Sequence, residues 1–403
     1  MQLGARYKAV YELMENIFKD RQPADNIINN YFRERRYIGS GDRRFISEKI
    51  WDIIRKRCRL EFETGELNLR KMLLLYLKDE NLDEIFTNNQ YSLPSVTKTE
   101  KDWLENLQEE PYPDYIEAEC PKWLFEKINN IELLKSLNNP ATADLRINGS
   151  YRDEIIKQLT TEGFEVEKTP NSPIGIRAKN RLNLNNCIAY QEGLVEVQDE
   201  ASQIVSILSD VKPENKVIDY CCGAGGKSLT IAYLLNSKGS IEAHDIDASR
   251  LEQLKPRMKR LGIENIKLIN TYKVGNEYDR FIVDAPCSGS GTWRRSPDAK
   301  FRLTQDKVNA LNETQSQILE MAYSKTKVGG RIIYITCSVL KEENEELIEK
   351  FKKKHPNIKS LNLRKLWEQK IETKYIGCSD YYLQFSPIAS STDGFFISIL
   401  EKE

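Results

Sequence analysis

The sequence predicts a doubly wound, mainly parallel α/β sheet over 211–403, preceded by a helical region and a small α/β module. Three observations predict it. From about residue 211 onward, short hydrophobic runs of strand type alternate with helical runs. Those strands end in glycines, acids and cysteines, the residues expected at the carboxyl edge of such a sheet. Residues 1–90 instead carry apolar side chains at helical spacing.

In chain order, RYKAVYELMENIF places Ala9, Val10, Leu13, Met14 and Ile17 on one helical face. FISEKIWDIIRKRCRLEF does the same with Ile46, Ile50, Ile53 and Ile54, and Gly39, Gly41 and Asp42 mark a loop before it. Residues 91–120, with Pro94, Pro111 and Pro113 among many charges, read as a linker or loose connector. TADLRIN is a strand, RDEIIKQLTTEG a helix closed by Gly163, and FEVEKT a second strand. KVIDYC, SIEAHDID, NIKLIN, YDRFIVDAP, GRIIYITCS and DGFFISIL are the strands of the main sheet. KSLTIAYLLN, SRLEQLKPRMKRLG and LNETQSQILEMAYSKT are helices between them. The expected division is 1–118 helical with a linker, 119–210 connector and 211–403 main domain.

Lys and Arg number 60 and Asp and Glu 61, so the net charge of −1 offers no support for nucleic-acid binding. Such support has to come from local clusters. The start, MQLGARYKAV, has no apolar signal core, and no run of 18 apolar residues could span a membrane, so the expectation is a cytoplasmic protein with reduced thiols. No metal site is expected. Cys221 and Cys222 are adjacent, and His244 and His355 are the two histidines.

CCGAGGKS, Cys221–Ser228, joins a strand to a helix. A phosphate-binding P-loop needs four residues between its first Gly and Gly-Lys-Ser/Thr, but here Gly223 and Gly226 are separated by two. A dinucleotide fingerprint begins at Gly223-Ala224-Gly225 but meets Ser228 where Gly or Ala is required. The next strand ends in Asp245 and Asp247. A carboxylate there suits the two ribose hydroxyls shared by NAD and S-adenosylmethionine. Asp245, first after the strand, fits that role, and Asp247 fits a helix cap near Ser249.

DAPCSGSG, Asp284–Gly291, and YITCS, Tyr334–Ser338, each follow a hydrophobic strand. The Cys287 and Cys337 thiols therefore belong at one sheet edge, although far apart in the chain. A buried thiol is often only a small apolar filler. Two at polar strand ends beside a Gly-rich loop point to nucleophilic chemistry. Asp284 reads as a turn former before Pro286 or as an acid aimed at a substrate ring.

Together these motifs resemble the bacterial 16S ribosomal RNA cytosine-5 methyltransferases, within the wider RNA cytosine-5 methyltransferase group. The match covers 190–402 through VQDEASQ (Val197–Gln203), DYCCGAGGKS, HDID, DAPCSGSGTWRRSPD, YITCSVLKEEN and DGFF (Asp393–Phe396). The resemblance implies a class I methyltransferase Rossmann-like domain using S-adenosyl-L-methionine. It implies Cys337 as the nucleophile on carbon 6 of cytosine, Cys287 as an aid to product release, and Asp284 as a group activating the base at ring nitrogen 3. Cofactor contacts would come from Cys221, Cys222, Gly223, Ala224, Gly225, Gly226, Lys227, Asp245, Asn270 and Asp284. The sequence departs from the family at the loop, usually Ala-Ala-Pro-Gly-Gly-Lys, and at Asn270, where the family has Asp.

GDRRFISEKIWDIIRKR resembles the helical RNA-binding domain of bacterial antitermination factors, and TADLRIN the family's small RNA-recognition-like connector. Arg33, Arg35, Arg36, Arg43, Arg44, Arg55, Lys56, Arg57 and Arg59 form a basic cluster suited to phosphates or to a solvated helix face. Arg294 and Arg295 are placed to hold the target nucleotide's backbone. The partner implied is RNA, either 16S rRNA or a small-subunit assembly intermediate, with no membrane and a monomeric enzyme. The alternatives are a methyltransferase acting on tRNA or other RNA, and an inert RNA-binding assembly factor.

Overall fold

The computed structural model describes all 403 residues except Arg21, Glu109, Ser150, Asn180, Arg181 and Ser237. The chain forms two compact units: Met1–Asn139 with Trp293–Leu303, and Pro140–Thr292 with Thr304–Glu403.

The first unit is helical. The helix Leu3–Lys19 buries Tyr7, Ala9, Val10, Leu13, Met14 and Ile17, the face its spacing predicts. Ser40–Arg55 buries Ile46, Ile50, Ile53 and Ile54. Each such aliphatic side chain contributes about 1.5–3 kcal/mol on burial. Gly41 and Asp42, expected in a loop, lie in the first helical turn, because Gly39 is the cap. Asp42 accepts from Arg6 Nε at 2.7 Å and from the terminal amine at 2.9 Å. The expected linker is packed rather than loose. Lys98–Glu105 is a helix closed by a Thr97–Glu100 capping box, and Ile116, Ala118 and Cys120 are buried. Helices Lys122–Ile128 and Ile131–Asn138 also belong to this unit, which therefore reaches Asn139 instead of ending at 118. The unit takes in Trp293–Leu303 because Trp293 and Lys300 are each 2% exposed and bury a large side chain there.

The second unit holds two sheets. The smaller has the order β2–β3–β1–β4, all antiparallel, from β1 (Ala143–Ile147), β2 (Val166–Lys168), β3 (Gly175–Ala178) and β4 (Val195–Val197). A buried ion pair sits in it: Arg177 Nε lies 2.8 Å from Asp144 and its Nη2 3.2 Å from Glu200.

The larger sheet comprises β5 (Lys216–Asp219), β6 (Ser240–His244), β7 (Ile266–Ile269), β8 (Tyr278–Asp284), β9 (Thr326–Thr336), β10 (Ile358–Ser360), β11 (Tyr382–Gln384) and β12 (Phe396–Lys402). Its order is β10–β12–β9–β8–β5–β6–β7, with β11 also on β12. The β9–β8–β5–β6–β7 block is parallel, and β12 runs antiparallel to β9. Hydrophobic runs such as RFIVD and RIIYIT are buried on both faces, as parallel strands require. SRLEQLKPRMKRLG is two helices, Ala248–Glu252 and Leu254–Leu261. Pro256 falls in the first turn of the second, where its missing N–H leaves no bond unmade.

Pairing of Asp219 with Ala243 and of Asp284 with Ile335 brings the carboxyl ends of β5, β6, β8 and β9 to one edge. Everything expected of the site in this unit follows from that register. Among the described residues no helix is long and apolar enough to cross a membrane.

Candidate active site

The loop after β5 turns on glycine. Gly223 has φ 57° and Gly225 φ 78°, and a Cβ on Gly223 would collide with the Arg250 guanidinium. The Gly223 N–H donates to Asp245 Oδ2 at 2.7 Å, and the Asp247 N–H to Asp245 Oδ1 at 2.9 Å. Two backbone donors therefore orient the Asp245 carboxylate at the end of β6. Asp247 caps the following helix through Ser249, as its position suggests. Between them, Ile246 is 94% exposed, an apolar side chain left against the open edge. Asn270 is exposed directly after β7 on the same edge.

The thiols of Cys221 and Cys222 are pushed far up by burial, with nearby carboxylates adding to it, and stay protonated. The Cys222 amide is already bound to the His244 carbonyl at 2.9 Å. Beneath the loop, burial pushes the fully enclosed Asp219 up to about 6 despite the Ser228 hydroxyl on its Oδ2.

Lys227, buried at the start of the loop's helix, donates to Asp284 Oδ2 at 2.7 Å. Burial alone would favour its neutral form. The Asp284 carboxylate outweighs that, with Asp219 and the Cys337 thiol adding to it, so the ammonium is held above its usual range. Lys227 also sits 5.0 Å over the Phe395 ring of the DGFF segment.

The two motif cysteines meet: Cys287 Sγ and Cys337 Sγ are 3.4 Å apart, and both are free. The sulfur–sulfur hydrogen bond pushes the Cys287 thiol well above its usual range, and burial and the Glu343 carboxylate add to this. The proton therefore stays on Cys287. Cys337 lies within the field of the Lys227 ammonium.

Backbone contacts lock the pair. The Gly291 N–H donates to the Cys337 carbonyl at 2.9 Å, and the Gly394 N–H to the Gly291 carbonyl at 2.8 Å. A Cβ at Gly291 would overlap the Gly394 carbonyl, which explains the glycines in DAPCSGSG and DGFF. Sequence reasoning assigned no role to the residues that tie the loops together. Glu343 is fully buried and accepts from Ser288, Ser338 and Gln315. Asn344 joins Thr336, Ser338 and Gln384. Gln198, in VQDEASQ, contacts the Gly226 carbonyl and Thr230. A signal existed: all three lie inside motifs already singled out.

The expected RNA-contacting arginines divide. Arg44 is exposed, paired with Glu48 at 2.8 Å, and Arg295 is exposed. Arg43 donates to the Ile38 carbonyl at 2.7 Å, and Arg294 is buried in the helical unit. Arg55 donates to the Asn138 and Arg294 carbonyls at 2.8 and 2.7 Å, Arg57 lies over the Phe18 and Phe301 rings, and Arg59 approaches Glu119. Much of the cluster builds the helical unit rather than a free cationic face.

Residues 206–401 match the family model described as 16S rRNA methyltransferase RsmB/F. The chain is 33% identical to the probable ribosomal RNA small subunit methyltransferase B of Bacillus subtilis, over 74% of this chain and 72% of that protein. It is 29% identical to ribosomal RNA small subunit methyltransferase B of Pseudomonas syringae pv. tomato, over 64% of this chain and 56% of that one. Among solved structures, PH0851 aligns over 100% of both chains with TM-score 0.78 and 26% identity. NSun6 from Pyrococcus horikoshii, solved with SFG, aligns over 72% of this chain and 99% of that one with TM-score 0.62. At 21% identity it shows the fold alone.

Proposed function

Because the chain belongs to the 16S rRNA methyltransferase RsmB/F family, we propose that it methylates carbon 5 of a cytosine in ribosomal RNA of the small subunit through a covalent bond to Cys337. The observation that carries this reading is the pair of thiols 3.4 Å apart beside the Lys227–Asp284 ion pair, at the carboxyl edge of the sheet. The partner proposed is 16S rRNA, free or in an assembling subunit, and the enzyme acts in the cytoplasm as a monomer.

S-adenosylmethionine is the cofactor, and it supplies an electrophilic methyl group. The residues fit it. Asp245 is preset by two amide donors for ribose hydroxyls, Ile246 offers an exposed apolar face, Asn270 is open on the same edge, and Gly223, Gly225 and Gly226 add no side chains of their own to the loop. The Cys337 thiolate adds to carbon 6, forming the S–C6 bond and shifting electron density to carbon 5. Asp284, held through Oδ2 by Lys227, carries a proton on its other oxygen when the base is bound, donates it to ring nitrogen 3 as the S–C6 bond forms, and takes it back on elimination. Once carbon 5 is methylated, its proton leaves to solvent. The C5–H electron pair restores the C5–C6 double bond and the S–C6 pair returns to Cys337. The base has to leave its stack to reach the thiol, and Arg295 and Arg44 are the exposed cations proposed to hold phosphates.

Bisulfite sequencing of 16S rRNA from cells with and without this chain tests the proposal. One cytosine should change from protected to converted when the chain is absent, and an unchanged pattern refutes it.

A further inference from the structure

The buried carboxylate of Glu343 serves neither the cofactor edge nor the fold's main core, yet it accepts four hydrogen bonds around the thiols. Its Oε1 accepts from the Ser288 amide at 2.8 Å and from Gln315 Nε2 at 3.0 Å. Its Oε2 accepts from the Ser288 and Ser338 hydroxyls. Ser288 directly follows Cys287 and Ser338 directly follows Cys337, so one carboxylate grips both cysteine loops one residue from each sulfur. Gln315 in turn binds the Pro286 carbonyl at 2.9 Å, on the other side of Cys287. Every donor to Glu343 is neutral. The charge is enclosed and stabilised by dipoles, and among the described residues no ion pair compensates it.

We propose that Glu343 is a positioning residue for the methyl-transfer site: it clamps the two cysteine loops in register and uses its enclosed charge to keep the proton on Cys287, aimed at the Cys337 sulfur. This deepens the reading above and rests on it. The groups facing Cys287 are Cys337 and Tyr334 from β9 and its end, Glu343 from the turn that follows, and the Gly289 amide. Cys337 and Glu343 both disfavour a Cys287 thiolate, and the strongest influences on it include no cation. When the S–C6 bond breaks, its electron pair passes to the Cys337 sulfur and the Cys287 S–H donates a hydrogen bond to that new thiolate. Meanwhile the carbon 5 proton goes to water and its bonding pair re-forms the C5–C6 double bond. A Cys287 without its proton would repel the departing sulfur instead.

The test is Glu343→Gln. The amide keeps one oxygen for the Ser288 amide and Gln315, and its NH₂ donates to the two serine hydroxyls, so shape is retained and charge removed. The first readout needs no RNA: iodoacetamide alkylation of Cys287 against pH, followed peptide by peptide by mass spectrometry. The midpoint should fall by roughly one pH unit or more. The second is single-turnover release of methylated RNA, which should slow about tenfold while adduct formation persists. Glu343→Asp, which keeps the charge, should restore a high alkylation midpoint. An unchanged midpoint in Glu343→Gln overturns the proposal, whether or not turnover falls, because a purely structural role predicts that result. If the Gln variant does not fold, a folded Glu343→Asp variant whose Cys287 midpoint falls by about a unit or more although the charge is kept overturns it. If RNA is not methylated by the parent chain, the functional reading fails while the thiol midpoint still decides the charge effect.

Discussion

The carboxyl edge of the large sheet and the arginine-rich helical unit both carry charged groups, but they use them differently. At the sheet edge, Asp245, Asp284 and the two cysteines sit at the strand ends where their motifs predict, with the two sulfurs 3.4 Å apart. In the helical unit, Arg55, Arg57 and Arg59, two positions apart in sequence, turn to carbonyls, rings and Glu119. Short side chains on strand ends are aimed by the backbone, so spacing reveals their target. Long side chains on helices choose among partners that only the tertiary fold brings close.

The sharpest way to break this comparison is at the sulfurs. Cys337→Ala should lower methyl transfer by about 10⁴-fold or more, as loss of a covalent nucleophile does, measured by transfer of labelled methyl to RNA. Cys287→Ala should still bind RNA covalently and retain it through denaturing electrophoresis. Equal residual activity in the two variants would erase the distinction drawn between them.

Next in size is the base-activating acid. Asp284→Asn should reduce kcat by on the order of 10²–10³-fold with cofactor affinity reduced less, since Lys227 loses its charged partner but Asp245, proposed to hold the ribose, is untouched.

Within the helical unit, stability rather than chemistry should respond. Glu119 is pushed from its ordinary 4.5 up to about 7 by burial, against the pull of Lys300, the Cys58 amide and Arg59. Its folded-state value is raised, so its contribution is fully present below 4.5 and is lost as pH rises through 7. Urea unfolding of the parent should therefore show stability falling across that window by on the order of 2 kcal/mol, and Glu119→Gln should flatten the slope.

The smallest effects separate inward from outward arginines. Arg55→Ala should lower stability by about 2 kcal/mol, having lost hydrogen bonds from a charged donor, and should leave the salt dependence of RNA binding unchanged. Arg44→Ala should be neutral in unfolding and reduce the salt slope by about one. Reversed results would restore the whole basic cluster as a phosphate-binding face.

Much of this was readable beforehand, for identifiable reasons. The strand–helix alternation from β5 to β9 and the buried helical face of Leu3–Lys19 follow from periodicity, which is local. Asp245 and Asp247 separated correctly into strand-end carboxylate and helix cap because the two roles need different distances from the strand. The return of Trp293–Leu303 to the helical unit was not readable, because nothing local distinguishes a segment that packs with its neighbours from one that packs 239 positions away, as Arg55 and Arg294 do. Glu343 was only half legible: it lies inside YITCSVLKEEN, but there it looks like one acid among several, and its enclosure between Ser288 and Ser338 marks it out.

The central claim is a bond between the Cys337 sulfur and carbon 6 of a cytosine. RNA carrying 5-fluorocytidine at the methylated position has no proton to lose at carbon 5, so the adduct should be trapped in the presence of cofactor. Peptide mass spectrometry of the trapped species should place the nucleotide on Cys337. A nucleotide found on Cys287, or no covalent species from a chain that methylates the unmodified RNA, would contradict it.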